Sequence, residues 1–274
     1  MLVTLQDILA LGERRNCAVA AFNVYNLETA MGVANAVKET GVPVIFQLYS
    51  RLFDKPNARY LAPGLLQIIR DLDEPAAFHL DHGSGHDQMM RALNYGATGI
   101  MIDASTLPLE ENIARTRTAV ELCRAVGVGV EGELGHIGST AEAMAEYTHV
   151  EEAARYVKET GVSALAIMVG TAHGRYKQEP IIDTGRIAEI REAVQIPLVL
   201  HGGSGISDEQ IIASIKAGIR KVNFATDLCY SFLDAVFEVD RKIVGIDQFM
   251  KGPVDAVMRY AIEKINTLGA AANG

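Results

Sequence analysis

Short apolar runs alternate with longer segments of helical periodicity along the whole chain. The runs predict strands at residues 17–24, 43–48, 76–81, 99–103, 128–133, 164–169, 197–201 and 221–224. Helical segments are predicted between them at 26–38, 87–95, 109–126, 150–160, 184–194 and 207–217. The strands are apolar on both faces, so both faces must be covered, as in a parallel sheet with crossover helices. Several helices run into a glycine just before the next strand, at Gly41, Gly96, Gly161 and Gly218, which reads as a left-handed helix stop. Ser207 followed by Gln210 reads as a capping box. Eight such units without a linker or composition shift predict one α/β domain over residues 1–274, a (β/α)8 TIM barrel. Periodicity alone does not distinguish closure from an open doubly wound sheet, which is the alternative. Two stretches are too long to be plain turns, 49–60 and 134–148. The second follows Glu133, holds Gly135, Gly138 and Ser139, and is expected to be a mobile active-site loop.

Composition narrows the function classes. The 274 residues are 49% hydrophobic and 22% charged, an ordinary globular balance with length enough for a substantial core. A net charge of −9 argues against nucleic acid or an anionic membrane as partner. Any bound phosphate is therefore expected to be held locally, by backbone amides and a metal. Cys17, Cys123 and Cys229 are far apart and form no C-x-x-C pair, so a reduced, cytoplasmic chain is expected. The first residues carry no basic stretch ahead of an apolar one, so no signal peptide is expected. No run reaches the roughly 18 apolar residues of a spanning helix.

Chemistry concentrates at the strand exits. His82, His173 and His201 each follow an apolar run and each precede a glycine. Barrel strands bring their C-terminal ends to one mouth, where three neutral imidazoles would hold a zinc-like ion and leave a position open. A single histidine in such a place is more often an ordinary core or surface residue; three in matching contexts favour a metal site. His79, His86, His136 and His149 keep the ordinary reading. Asp81 directly precedes His82, so its carboxylate either moves a proton at the metal or orients a ligand ring. Asp103 and Glu133 fit the orienting role or an alternative metal position. Asn23, Glu131 and Asn223 complete the set of exit residues expected at the mouth. Two segments suit phosphate, Gly202 to Gly205 after the seventh strand and Asn223 to Asp227 after the eighth.

At these residues the chain resembles the class II, metal-dependent ketose-bisphosphate aldolases of fructose- and tagatose-bisphosphate type. The likeness runs from Ala21-Phe22-Asn23-Val24 to the C-terminal helix. It is carried by His79-Leu80-Asp81-His82-Gly83, Met101-Ile102-Asp103-Ala104-Ser105 and Val130-Glu131-Gly132-Glu133-Leu134-Gly135. Three further blocks are Gly170-Thr171-Ala172-His173-Gly174, Leu200 to Gly205 and Lys221 to Asp227. The resemblance implies Zn2+ on His82, His173 and His201, with Asp81 as the proton-transfer residue. It implies a dihydroxyacetone phosphate cradle of Gly174, Gly202, Ser204, Asn223, Ala225, Thr226 and Asp227, with Asn23 on the substrate and a monovalent cation, Na+ or K+, nearby. The implied reaction is reversible cleavage of a ketose 1-phosphate or 1,6-bisphosphate to dihydroxyacetone phosphate and an aldehyde, through a zinc-stabilised enediolate. A homodimer or homotetramer is also implied. Lys177 and Lys221 near strand exits leave a Schiff-base route formally open.

The sequence departs from the family in three places. The glycine-rich loop is shorter than the tagatose type and carries His136 where arginine is frequent. Ser139 stands where a second glycine is usual. No arginine follows Gly252-Pro253, where members that grip a second phosphate place one. Arg259, Arg51 and Arg175 are the alternative distal-anion candidates, and the alternative substrate is a ketose 1-phosphate with a non-phosphate distal group, such as a sulfonated or deoxy sugar. A metal-dependent barrel hydrolase and a non-catalytic sugar-phosphate-binding subunit are the rival readings.

Overall fold

The computed structural model describes residues 1–140 and 146–270. Its eight strands are β1 (Val19–Asn23), β2 (Val44–Tyr49), β3 (Ala76–Gly83), β4 (Gly99–Ile102), β5 (Gly129–Leu134), β6 (Ala164–Ile167), β7 (Leu198–Leu200) and β8 (Ile219–Phe224). All pair in parallel in chain order, and β8 pairs with β1, so the sheet is a closed barrel. Closure removes the open-sheet alternative. Helix α1 (Leu5–Arg15) precedes β1. Crossover helices follow β1 to β7 in turn: α2 (Leu27–Thr40), α3 (Asn57–Arg70), α4 (His86–Asn94), α5 (Leu109–Arg124), α6 (Val150–Thr160), α7 (Thr184–Val194) and α8 (Asp208–Ala217). After β8 come α9 (Thr226–Glu238) and α10 (Ile246–Ala270).

The apolar runs become strands because both faces are buried. Phe22, Phe46, Phe78, Ile100, Leu165 and Phe224 join the main core, which includes buried residues of the surrounding helices. Inward-facing Ala21, Ile45, Ala77, Ala166 and Val199 form a second cluster with Leu5, Ile8 and Leu9 of α1. Helix α1, outside the segments marked by the periodicity, is therefore the floor of the barrel. Its buried Leu5, Ile8, Leu9 and Gly12 recur at helical spacing, and Thr4 caps it by accepting from the Asp7 amide.

Two local expectations change. Residues 49–60 are no long loop: a 3₁₀ turn at Ser50–Leu52 buries Ser50 and Leu52, and α3 begins at Asn57. Ser207 is the N-cap of α8 but makes no side-chain cap bond. Gln210 instead accepts from the Ile182 amide at 3.0 Å and donates to Pro180 O at 2.8 Å, so it anchors the β6–α7 connection. Of the expected active-site loop, residues 141–145 lie outside the described residues. Its first part is tied to the β6 exit: His173 N donates to Gly138 O and Thr140 N to His173 O, both at 2.8 Å.

Candidate active site

In a regular strand Asp81 and His82 would face opposite sides of the sheet. Here the β3–β4 register shifts between Leu80 and Gly83, and His82 has φ +51°, in the left-handed region. Side chains seldom accept that backbone, and holding one there costs about 1–3 kcal/mol. The irregularity brings both side chains to the barrel mouth, where both line one cavity.

Each of the three histidines is fixed from one side and free on another. His82 Nδ1 is 2.8 Å from Asp103 Oδ2, and Asp103 Oδ1 in turn accepts from Ser105 N and Oγ. His201 Nε2 is 2.9 Å from Glu131 Oε1. His173 is held through its backbone pairing to Gly138 and Thr140. Among the described residues the buried atoms His82 Nε2, His173 Nε2 and His201 Nδ1 have no hydrogen-bond partner, although Glu133 Oε2 approaches His201 Nδ1 to 3.4 Å. One ring nitrogen from each residue lies within 4.8 Å of the others, and the three rings are 4.8 to 5.7 Å apart by centroid. Buried imidazole nitrogens left unpaired are costly unless something binds them. The donor set and its spacing fit a metal of zinc type. His82, Asp103 and Glu133 form a second group with the same spacing.

Burial and charge act differently on the three rings. Burial pushes His173 down to about 4 and His201 well below the usual histidine range, which keeps both neutral as ligands must be. Burial acts the same way on His82, but the carboxylates of Asp81, Asp103 and Glu133 overcome it and raise that ring to about 10. Glu133 is pushed up to about 8, first by burial and then by the charge of Asp103. The carboxylates around His82 thus favour positive charge at that ring.

Asp81 is held by two amides: Asn23 Nδ2 donates to its Oδ2 at 2.7 Å and Asn223 Nδ2 to its Oδ1 at 3.3 Å. Gln47 Nε2 supports Asn23 Oδ1 at 3.0 Å. Asp81 Oδ1 lies 4.0 Å from His82 Nε2, so the carboxylate stands beside the three-imidazole cluster.

The cavity, about 360 Å³, is lined by His82, His173, Asp81 and Asp103 together with Asn23, Gly174, Gly202, Ser204, Asn223, Ala225 and Thr226, and the fully buried His201 lies behind this lining. The predicted phosphate residues thus converge, with one exception. The Asp227 carboxylate accepts from Gly205 N at 2.8 Å and faces the neighbouring groove, while its amide donates to Ser204 Oγ. Among the distal-anion candidates, Arg51 lines the cavity. Arg175 stacks 3.4 Å over Tyr230 in that neighbouring groove. Arg259 is exposed on α10 and is not among the cavity's lining residues.

Glu131 does not sit at the mouth as expected. It lies one layer deeper, fully buried between His201, Lys221 and His79. Lys221 Nζ donates to Glu131 Oε2 at 2.7 Å, which occupies the amine below the site, and Lys177 is exposed in the β6–α7 connection. Tyr25, Tyr49 and Ile137, not singled out from sequence, also line the cavity, and so does His136, for which the ordinary reading was expected. His136 Nδ1 is 3.2 Å from Ser105 Oγ. Gln47 had a readable signal, a lone amide inside the apolar run Val44-Ile45-Phe46-Gln47-Leu48. The tyrosines had none, because aromatic residues at strand ends are equally common in cores.

Comparison with known proteins decides the family. Residues 3–273 match the family described as fructose-bisphosphate aldolase class-II. The chain is 36% identical over 262 residues to an Escherichia coli K12 protein described as uncharacterized protein YdjI, covering 93% of each. The crystal structure of the YdjI aldolase from Escherichia coli K12 is similar at a TM-score of 0.90 and 33% identity, over 98% of both chains. Fructose-bisphosphate aldolase from Campylobacter jejuni shares the fold at a TM-score of 0.77 and 20% identity, over 97% of this chain and 95% of that one. The barrel, its histidine-lined mouth and the match over almost every residue lead to one conclusion: the chain belongs to the class II fructose-bisphosphate aldolase family, a family of lyases.

Proposed function

We propose that the chain is a zinc-dependent aldolase that reversibly cleaves a ketose 1-phosphate or 1,6-bisphosphate to dihydroxyacetone phosphate and an aldehyde. The observation that carries this reading is the set of three imidazole nitrogens, mutually within 4.8 Å and without a hydrogen-bond partner among the described residues, beside a carboxylate fixed by two amides. His82, His173 and His201 would hold Zn2+, which when bound supplies Lewis-acid stabilisation of negative charge developing on the ketose oxygens. Asp81 takes the C4 hydroxyl proton in cleavage and returns it to the aldehyde oxygen in condensation. Asn23 and Asn223 keep its carboxylate aimed during that transfer. Asp103 and Glu131 fix the rings of His82 and His201 from behind. The phosphate would sit against Gly202, Ser204 and the start of α9 at Thr226, where backbone amides point outward. Those loops offer it no lysine or arginine in the cavity, which suits an accompanying Na+ or K+.

The test is a panel of ketose phosphates incubated with zinc-loaded protein, with dihydroxyacetone phosphate read through a coupled reductase. Release that EDTA abolishes and zinc restores supports the reading. Orthophosphate release points to the hydrolase, and an inert enzyme across the panel points to a binding subunit. The three free cysteines support a reducing, cytoplasmic setting, and among the described residues no helix is long and apolar enough to cross a membrane. Exposed Phe237, Val244 and Ile246 support a homodimer or homotetramer, to be read by light scattering.

A further inference from the structure

The cavity is acidic where bonds would break and has a single permanent cation on its wall. Asp81 and Asp103 line it, and Arg51 is the one lysine or arginine among its lining residues. Arg51 follows directly on β2, in the Ser50–Leu52 turn whose other two side chains are buried. That turn is pinned from outside: Arg91 Nη1 donates to Phe53 O at 2.7 Å, and Gln88 Nε2 donates to Asp54 Oδ1 at 2.7 Å. The guanidinium carbon lies 5.0 Å from the centroid of the Tyr25 ring and 5.0 Å from that of Tyr49. Tyr49 in turn packs against His82, with centroids 5.7 Å apart. Among the described residues no carboxylate pairs with Arg51. Arg51 also hydrogen-bonds the Tyr25 hydroxyl, and the five N–H donors of a guanidinium leave others in its plane for a planar anion.

We propose that Arg51 selects the aldehyde half of the substrate by binding a terminal anionic group, a carboxylate or a phosphate. This rests on the aldolase reading above. Topology places the residue correctly for that role. The glycine loops and the α9 start occupy the β7 and β8 exits, Asp81 and His82 the β3 exit, and Arg51 the β2 exit. A ketose anchored by its 1-phosphate on β7 and β8, with its reacting carbons at Asp81, extends its far carbons along the remaining wall. An anionic end there meets two carboxylates, and without Arg51 it would be repelled. The tyrosine rings hold the cation in place before substrate arrives, so little side-chain freedom is lost on binding.

The experiment compares condensation of dihydroxyacetone phosphate with three aldehydes of equal length, ending in a hydroxyl, a carboxylate or a phosphate. Wild-type enzyme is set beside Arg51→Met and Arg51→Lys, with zinc content and melting temperature measured for each. In wild type the anionic aldehydes are preferred, and the better of the two identifies the natural terminus. In Arg51→Met, kcat/KM falls about 10- to 100-fold for that aldehyde and changes little for the neutral one, the loss expected for a charged hydrogen bond. Arg51→Lys recovers part of it. The KM for dihydroxyacetone phosphate stays unchanged; a rise there with all three aldehydes instead assigns Arg51 to the 1-phosphate and overturns the proposal. Equal loss with anionic and neutral aldehydes overturns it too. Wild-type enzyme inactive with every aldehyde refutes the aldolase reading itself, a distinct outcome.

Discussion

Replacing Lys221 with methionine tests whether the floor of the site is an electrostatic unit. Lys221 and Glu131 are both fully buried, with Nζ 2.7 Å from Oε2. At that separation and an effective dielectric near 20, their attraction is about 6 kcal/mol, much of it offset by the cost of stripping water from both charges. Lys221→Met removes the attraction and leaves that cost standing on Glu131. The expected loss is ~3–5 kcal/mol of folding stability. At about 2 °C per kcal/mol for a chain this size, the melting temperature falls by roughly 6–10 °C. The double variant Lys221→Met/Glu131→Gln carries no lone charge, and the glutamine oxygen still accepts from His201 Nε2. It is expected to regain at least half of the loss. The assay is denaturant unfolding of metal-free protein at pH 7, with all four corners of the cycle measured under identical conditions. A single variant within about 1 kcal/mol of wild type, or a double variant whose loss equals the sum of the singles, would refute the reasoning.

Three other changes probe the mouth and the interior. Asp81→Asn keeps the shape of the side chain and the zinc content but lowers kcat about 10²- to 10⁴-fold, measured by coupled assay beside metal analysis; near-normal turnover would remove the proton-transfer role. Gly202→Ala forces a side chain onto φ +68° and drives its Cβ into the carbonyl oxygen of Ala172, so KM for the phosphorylated substrate rises sharply; an unchanged KM would take this loop out of phosphate binding. His79 is held down to about 3, by burial first and then by Lys221. The unfolded chain takes up that proton from about pH 6.5 downward while the folded chain refuses it until near 3, so stability falls as pH drops across that window, by up to ~1.4 kcal/mol per pH unit. His79→Gln flattens the slope of unfolding free energy between pH 6 and 4, and an identical slope in the two proteins would contradict the burial argument.

Legibility in the sequence followed locality. The strands and the crossover helices α2 and α4 to α8 were readable because a buried parallel strand must be apolar on both faces and a covering helix apolar on one. Helix α1 was harder, since its purpose is to plug the barrel floor, a surface that exists only after closure. Gln210 was read as half of a capping box because Ser207 precedes it at the right spacing, yet it binds Ile182, 28 residues away along the chain. No local pattern reports such a partner. Glu131 also looked like a neighbour of the exit residues; the layering of the barrel interior put it underneath instead, beside His79.

The candidate site divides the same way. By itself the sequence determined which residue types stand at the strand exits, and a strand period of two with a parallel order is enough to send those ends to one mouth. Histidine, aspartate and glycine at His82, His173, His201, Asp81 and Gly202 were therefore legible before any fold was drawn. Tertiary structure decided where each side chain is held. The left-handed turn at His82 brings Asp81 and His82 to one side, and Asn23 and Asn223 hold the Asp81 carboxylate. The Asp227 carboxylate faces away from the cavity, and Arg51 becomes its single fixed cation. Those outcomes depend on register, a backbone bulge and packing from distant elements. They are set by the closed barrel as a whole, which no stretch of sequence carries by itself.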